Sequence, residues 1–209
     1  MKYYFTRQIH LILITTFLLF GFNANAQNAD IALLRYINLG RNTTLDPTFK
    51  FVSNTSAGIS VATPLVIYGI GLIKKDSSLK SNAIFIGETI LVSAVITTGL
   101  KNAIQRQRPF ITYPEIEKED SGGSYAMPSG HTANAFATAT SLSMAYPKWY
   151  VITPAFAWAA TVGYSRLHLG VHYPSDVFAG AFVGAGSAYL TYKLNKWIHK
   201  KWPCKNEKK

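Results

Sequence analysis

Five stretches of the chain, residues 57–73, 81–100, 132–146, 149–164 and 177–192, are apolar or small throughout, and Glu88 is the one formally charged residue in them. A helix at the surface of a water-soluble protein sets an apolar stripe against a charged face, and these stretches have no charged face to turn outward. Their lengths lie toward the short end of the roughly 20 residues that cross a bilayer core, so they predict membrane-spanning helices and an all-α, polytopic helix bundle. Gly180 and Gly184, four residues apart in the last stretch, predict close helix packing in lipid. A carboxylate within a span is expensive. Glu88 is therefore expected to be protonated or hydrogen-bonded between helices, about three helical turns from Lys101.

The chain before these stretches reads differently. Lys2 and Arg7 precede an apolar run from Ile9 to Phe22, and Ala24-Asn25-Ala26 follows it, the three regions of a secretory signal. Residues 1–26 are expected to be a signal peptide cleaved after Ala26, with an uncleaved signal anchor as the alternative. Residues 27–56 are expected to form an amphipathic segment at the membrane surface, turning at 42–47, and residues 57–195 the main domain. Residues 196–209 form a basic tail. The formal charge of +11 comes largely from Lys74, Lys75, Lys80 and the tail from Lys193, which flank spans instead of lining one surface. With Gln27 outside the cytoplasm, five spans put these basic regions inside, in agreement with the positive-inside rule. No nucleic-acid motif accompanies the charge. The single cysteine, Cys204, excludes an intrachain disulfide framework and a cysteine zinc cluster.

The same topology places three polar stretches, 101–109, 126–132 and 164–176, together on the outer face. A phosphate ester is held and cleaved mainly by positioned charge, and Lys101, Arg108 and Arg166 supply cations without a metal. Pro128-Ser129-Gly130-His131 stands directly before an apolar run, so it predicts the first turn of a helix whose free N–H groups suit phosphate oxygens. Gly130 permits close approach, Ser129 donates its hydroxyl or caps the helix, and His131 reaches a leaving-group oxygen. His172 and Asp176 are spaced so that the carboxylate meets one ring nitrogen and leaves the other free as a nucleophile. Asp176 also reads as the cap of a helix starting at Val177, and His168 as a packed histidine. The loop of Glu115, Glu117, Glu119 and Asp120 reads as a solvated connection rather than a lid. No familiar zinc spacing occurs, and the flanking arginines would repel a cation.

Lys101 with Arg108-Pro109, then Pro128-Ser-Gly-His131, then Ser165-Arg166 with His172 and Asp176, resemble the three-part signature of the type 2 phosphatidic acid phosphatase (PAP2) superfamily. The resemblance runs roughly over residues 30–192. It implies a site that needs no metal or other cofactor, with His172 attacking phosphorus to form a phosphohistidine. His131 then acts as acid toward the leaving oxygen and as base toward water. It also implies that Asp176 orients His172, while Lys101, Arg108, Ser129, Gly130 and Arg166 hold the phosphoryl oxygens. Membrane members of that superfamily usually have six spans, one more than the count here after cleavage. The expected function is hydrolysis of a lipid phosphate or diphosphate at the periplasmic face of a bacterial inner membrane: undecaprenyl diphosphate, phosphatidic acid, phosphatidylglycerophosphate or lipid A. The alternatives are a soluble periplasmic acid phosphatase, a vanadate-dependent haloperoxidase that shares the oxyanion pocket, and a non-catalytic membrane protein that binds phosphate.

Overall fold

The computed structural model describes the backbone of residues 23–201 and the side chains of residues 28–198. The expected signal peptide lies outside the described residues, except from Asn23 onward, and so does the end of the basic tail. Six long helices dominate: α1 (Asn23–Leu39), α2 (Asp46–Ile73), α3 (Ser77–Ile104), α5 (Gly130–Ala145), α6 (Trp149–His168) and α7 (Pro174–Lys201). A 3-10 turn, Thr43–Leu45, precedes α2, and the single-turn α4 (Pro109–Thr112) follows α3. No strand occurs among the described residues, as the all-α expectation requires.

Helix ends follow local chemistry. Asp76 caps α3 by accepting from the N–H groups of Ser78 and Leu79, and prolines open α2 and α4. Gln105 ends α3 in the left-handed conformation, which turns the chain sharply toward Arg106 and Arg108. Helix α2 begins at Asp46, well before the apolar run at 57, because its first turns bury Ser53 and Ser56 instead of large apolar groups. A search for apolar runs passes over such a face. Helix α7 likewise continues past 192 into the basic tail.

The bundle is built inside out. Its interior faces carry Ser53, Ser56 and Ser60 on α2, Thr89 and Ser93 on α3, and Ala133, Ala135, Ala137 and Ala139 on α5. Large side chains turn outward, with Leu65, Leu91, Val95, Phe178 and Phe182 all exposed. Small interior residues and a large apolar exterior suit helices solvated by lipid, where packing and not water exclusion drives association. Residues Thr43–Ile73 and Ser77–Thr112 are long and apolar enough to cross a membrane.

Helix α5 sits at the centre and packs against α2, α3, α6 and α7. Its approach to α7 is the tightest. A Cβ at Gly180 would come within 2.6 Å of the Ser129 carbonyl oxygen, and one at Gly184 would run into the Ala133 carbonyl oxygen. The two glycines thus do what their spacing predicted. They also set the start of α5 against the start of α7, which matters for the site.

Candidate active site

Alternating helices bring the end of α3, the start of α5, the end of α6 and the start of α7 to one end of the bundle. The three polar stretches predicted to converge do converge there, and backbone hydrogen bonds bind them together. Ala126 N–H donates to the Arg106 carbonyl at 2.9 Å, and Ser129 N–H donates to the Asp176 carbonyl at 2.9 Å.

His172 lies at the centre, 1% exposed. Its Nδ1 is 3.4 Å from Asp176 Oδ2, and its Nε2 is 3.3 Å from Arg108 Nη1. A guanidinium can only donate, so Nε2 accepts, which leaves the ring proton on Nδ1 facing Asp176. The Asp176 contact is long for a hydrogen bond. Burial, reinforced by the charges of Arg108 and Arg166 and opposed by Asp176, lowers His172 to about 3, so the ring is neutral at pH 7.

Asp176 is fully buried and its oxygens are occupied. Oδ2 also accepts from the Tyr173 N–H at 2.9 Å, and Oδ1 accepts from Arg106 Nη1 at 2.8 Å. The sequence reading made Asp176 the cap of a helix beginning at Val177. Pro174, however, opens α7 earlier and places Asp176 within the first turn, reaching back to the N–H just before it, as in half of a capping box.

The cations are held by the loop that joins α4 to α5. Arg108 donates through Nε to the Ser124 carbonyl at 2.7 Å and through Nη1 to the Val171 carbonyl at 2.9 Å. Lys101 donates to the Tyr125 carbonyl. A Cβ at Gly122 would lie 2.8 Å from Arg108 Cδ, so that glycine lets the loop lie against the arginine. Arg166, 1% exposed, pairs with Asp120 and donates to Ser53 Oγ, while its Nε is buried without a partner. A buried guanidinium N–H without a protein partner is able to donate to an acceptor.

The sequence reading of this loop as a solvated connection holds for Glu115, Glu117 and Glu119, which are exposed, and fails at Asp120, which is buried against Arg166. Glu115 pairs with Arg35; Glu117 and Glu119 pair with Arg41; Asn38 bonds both the N–H and the carbonyl of Glu117. The partners of all four acidic residues are remote in sequence. Hydrogen bonds from Arg166 and the Ser121 N–H, with the charge of Arg166, outweigh burial and hold Asp120 below the usual carboxylate range.

Helix α5 starts at Gly130, as predicted, with the Ser129 hydroxyl accepting from Thr132 Oγ1 at 2.9 Å instead of capping the helix. The first N–H groups of α5 are thus left uncapped. A Cβ at Gly130 would make only ordinary contact with Lys101 Cε and Thr97 Cγ2, both at 4.0 Å, so the missing side chain leaves room beside Lys101. His131 follows. Burial, then the charges of Arg166, Arg108 and Lys101, with Asp120 opposing, lower it to about 4.

All eight predicted residues, Lys101, Arg108, Ser129, Gly130, His131, Arg166, His172 and Asp176, meet in this one region. His168 does not join them: it pairs through Nε2 with Asp46 at 2.7 Å and packs on Phe49, as expected of a packed histidine. Sequence reasoning passed over Asp120, Arg106 and Asp30. No group of three His, Cys, Asp or Glu residues suited to a metal occurs among the described residues.

The fold and site define a helical membrane bundle with three cations and two histidines gathered at one end. The pattern of the PAP2 superfamily matches residues 82–200, and the chain belongs to that superfamily. It is 41% identical over 71 residues to the lipid A 4'-phosphatase of Bacteroides thetaiotaomicron, a match covering 34% of this chain and 32% of that protein. It is 34% identical over 114 residues to the undecaprenyl-diphosphatase of Sulfolobus acidocaldarius, covering 52% and 55%. The chain thus spans from about a third to little more than half the length of these two curated relatives. Among solved structures, Aquifex aeolicus LpxE superposes with a TM-score of 0.66 at 31% identity, covering 79% of this chain and 95% of that one. The fold also matches a transmembrane PAP2-type phosphatidylglycerolphosphate phosphatase from Bacillus subtilis, with a TM-score of 0.70 at 24% identity, covering 91% and 96%.

Proposed function

We propose that this chain is a lipid phosphatase that uses His172 as nucleophile and needs no metal, acting at the periplasmic face of a bacterial inner membrane. The observation that carries the reading is the setting of His172: Nδ1 faces a buried carboxylate and Nε2 faces the cationic pocket. Superfamily membership and the relatives named for lipid phosphates support it.

A phosphoryl group brings nearly two negative charges. Its oxygens take the uncapped N–H groups of α5, the free Nε of Arg166, Lys101 and the fork of Arg108. Arg108 then turns from Nε2 to a stronger acceptor and uncovers the nucleophile. Nε2 attacks phosphorus in line, the ester oxygen leaves with the proton of His131, and Asp176 steadies the cationic phosphohistidine through Nδ1–H. Water then attacks phosphorus and gives its proton to His131, which releases phosphate and restores Nε2. The phosphate's charge also cancels the cations that depress His131, so substrate binding helps to protonate the acid.

The candidate substrates are undecaprenyl diphosphate, phosphatidic acid, phosphatidylglycerophosphate and lipid A. The outward-facing apolar side chains of α2, α3 and α7 favour a lipid over a soluble ester. Residues 1–26 are proposed as the signal peptide and 57–195 as the phosphatase domain. The experiment is phosphate release from these four lipids in micelles containing EDTA. Turnover of at least one lipid supports the reading, and turnover of none, or only on adding a metal, contradicts it.

A further inference from the structure

Arg106 lies just beyond α3, outside the three cations already assigned, and both of its terminal nitrogens are engaged. Nη1 donates to Asp176 Oδ1 at 2.8 Å and to Ser175 Oγ at 2.6 Å. Nη2 donates to Asp30 Oδ2 at 2.7 Å, and the guanidinium carbon stacks 3.9 Å from the centre of the Tyr173 ring. Asp30, on α1, also accepts from the Ser175 N–H at 2.8 Å and from its hydroxyl. The cation thus stands between two buried carboxylates, one on α1 and one at the start of α7.

From this geometry, and resting on the reading of His172 as nucleophile, we propose that Arg106 and Asp30 are positioning residues for the His172–Asp176 pair. Arg106 fixes Asp176 Oδ1, so that Oδ2 stays turned toward His172 Nδ1. Asp30 anchors Arg106, balances its charge and ties α1 to the site. Without Arg106, Asp30 and Asp176 would face each other across Ser175 with no cation between them, and neighbouring like charges favour a proton on one of the two carboxylates. A protonated Asp176 loses its grip on the Nδ1–H tautomer. The other charged or titratable groups acting on Asp176 are Lys101 on α3, Arg108 beyond it, and His172 and Tyr173 before α7.

The test compares wild type, His172→Ala, Arg106→Gln, Arg106→Lys and the double variant Asp30→Asn with Arg106→Gln, reading phosphate release against pH on the best lipid. Arg106→Gln is expected to lower kcat roughly 10- to 100-fold, the usual cost of losing an outer hydrogen-bonded partner, and to move the acid limb to higher pH. Adding Asp30→Asn returns the limb toward wild type, which loss of mere structural support would not do. Arg106→Lys keeps the charge and so keeps the wild-type limb at reduced kcat, a result that stands even if the glutamine variant does not fold. The proposal is overturned if Arg106→Gln matches wild type in rate and pH profile, if the double variant shows no recovery of the limb, or if Arg106→Lys loses the wild-type limb. Turnover that survives His172→Ala would instead overturn the nucleophile assignment beneath it.

Discussion

The two ends of the bundle each hold a carboxylate on a helix, and they treat it differently. At one end Asp176 is fully buried, with its oxygens shared among Arg106, the Tyr173 N–H and His172. At the other end Glu88 on α3 accepts one hydrogen bond from Asn195 on α7, at 2.6 Å, as the sequence reading expected of a helix-to-helix bond. A charge within an apolar segment by itself suggests function, yet among the described residues only the first end combines cations, uncapped N–H groups and histidines from several elements. Convergence distinguishes a site from an isolated polar contact.

The comparison breaks first at His172. Replacing it with alanine is expected to lower phosphate release by about 10⁴-fold or more, the scale of losing a nucleophile, with helicity by circular dichroism unchanged. Next is Asp120→Ala, which leaves the buried Arg166 without its carboxylate. Removing one partner of a buried pair costs about 3–5 kcal/mol, so the variant should unfold earlier in detergent, lose roughly 100-fold in kcat/KM, and gain more thermal protection from added phosphate than wild type does. Gly184→Leu attacks the junction of α5 and α7. It meets backbone at Ala133 and Ala137, should cost about 1–3 kcal/mol or more of stability, and should lower activity by displacing Ser129 from Asp176.

Three smaller effects are expected. The attacking His172 must be neutral, and activity is lost as pH falls through its pKa. Because burial and the neighbouring cations place that near 3, the acid limb should lie well below the 6.5 of a free imidazole. Stability behaves differently. Below about pH 6.5 the unfolded chain takes up protons that the buried His131 and His172 refuse, so the apparent unfolding temperature should fall from pH 7 to pH 5 while turnover persists. At the opposite end, Glu88→Gln keeps an acceptor for Asn195 and should leave turnover within about twofold, as a substitution away from any site does.

Much of this was legible because the signals were local. The apolar stretches predicted five of the helices, Gly180 and Gly184 predicted a close helix contact, and Pro-Ser-Gly-His predicted the first turn of a helix. What sequence reasoning missed depends on remote partners. Asp120 sits in an acidic loop indistinguishable from a solvated one until Arg166, 46 residues away, is placed beside it. Arg106 reads as another interfacial arginine until Asp30 and Asp176, 76 and 70 residues away, are seen on either side. The beginning of α2 was hidden for another reason: its buried face is serine, which hydropathy counts as polar.

The most direct test of the central claim is to react the protein briefly with a lipid substrate carrying radioactive phosphorus in the transferred group, quench in alkali, and look for label on the chain. Phosphohistidine survives alkali and is lost in acid. An acid-labile, alkali-stable label is expected on His172 in wild type and none in His172→Ala. Stable label on another residue, or turnover by the wild type with no label at His172 at any time during the reaction, would contradict it.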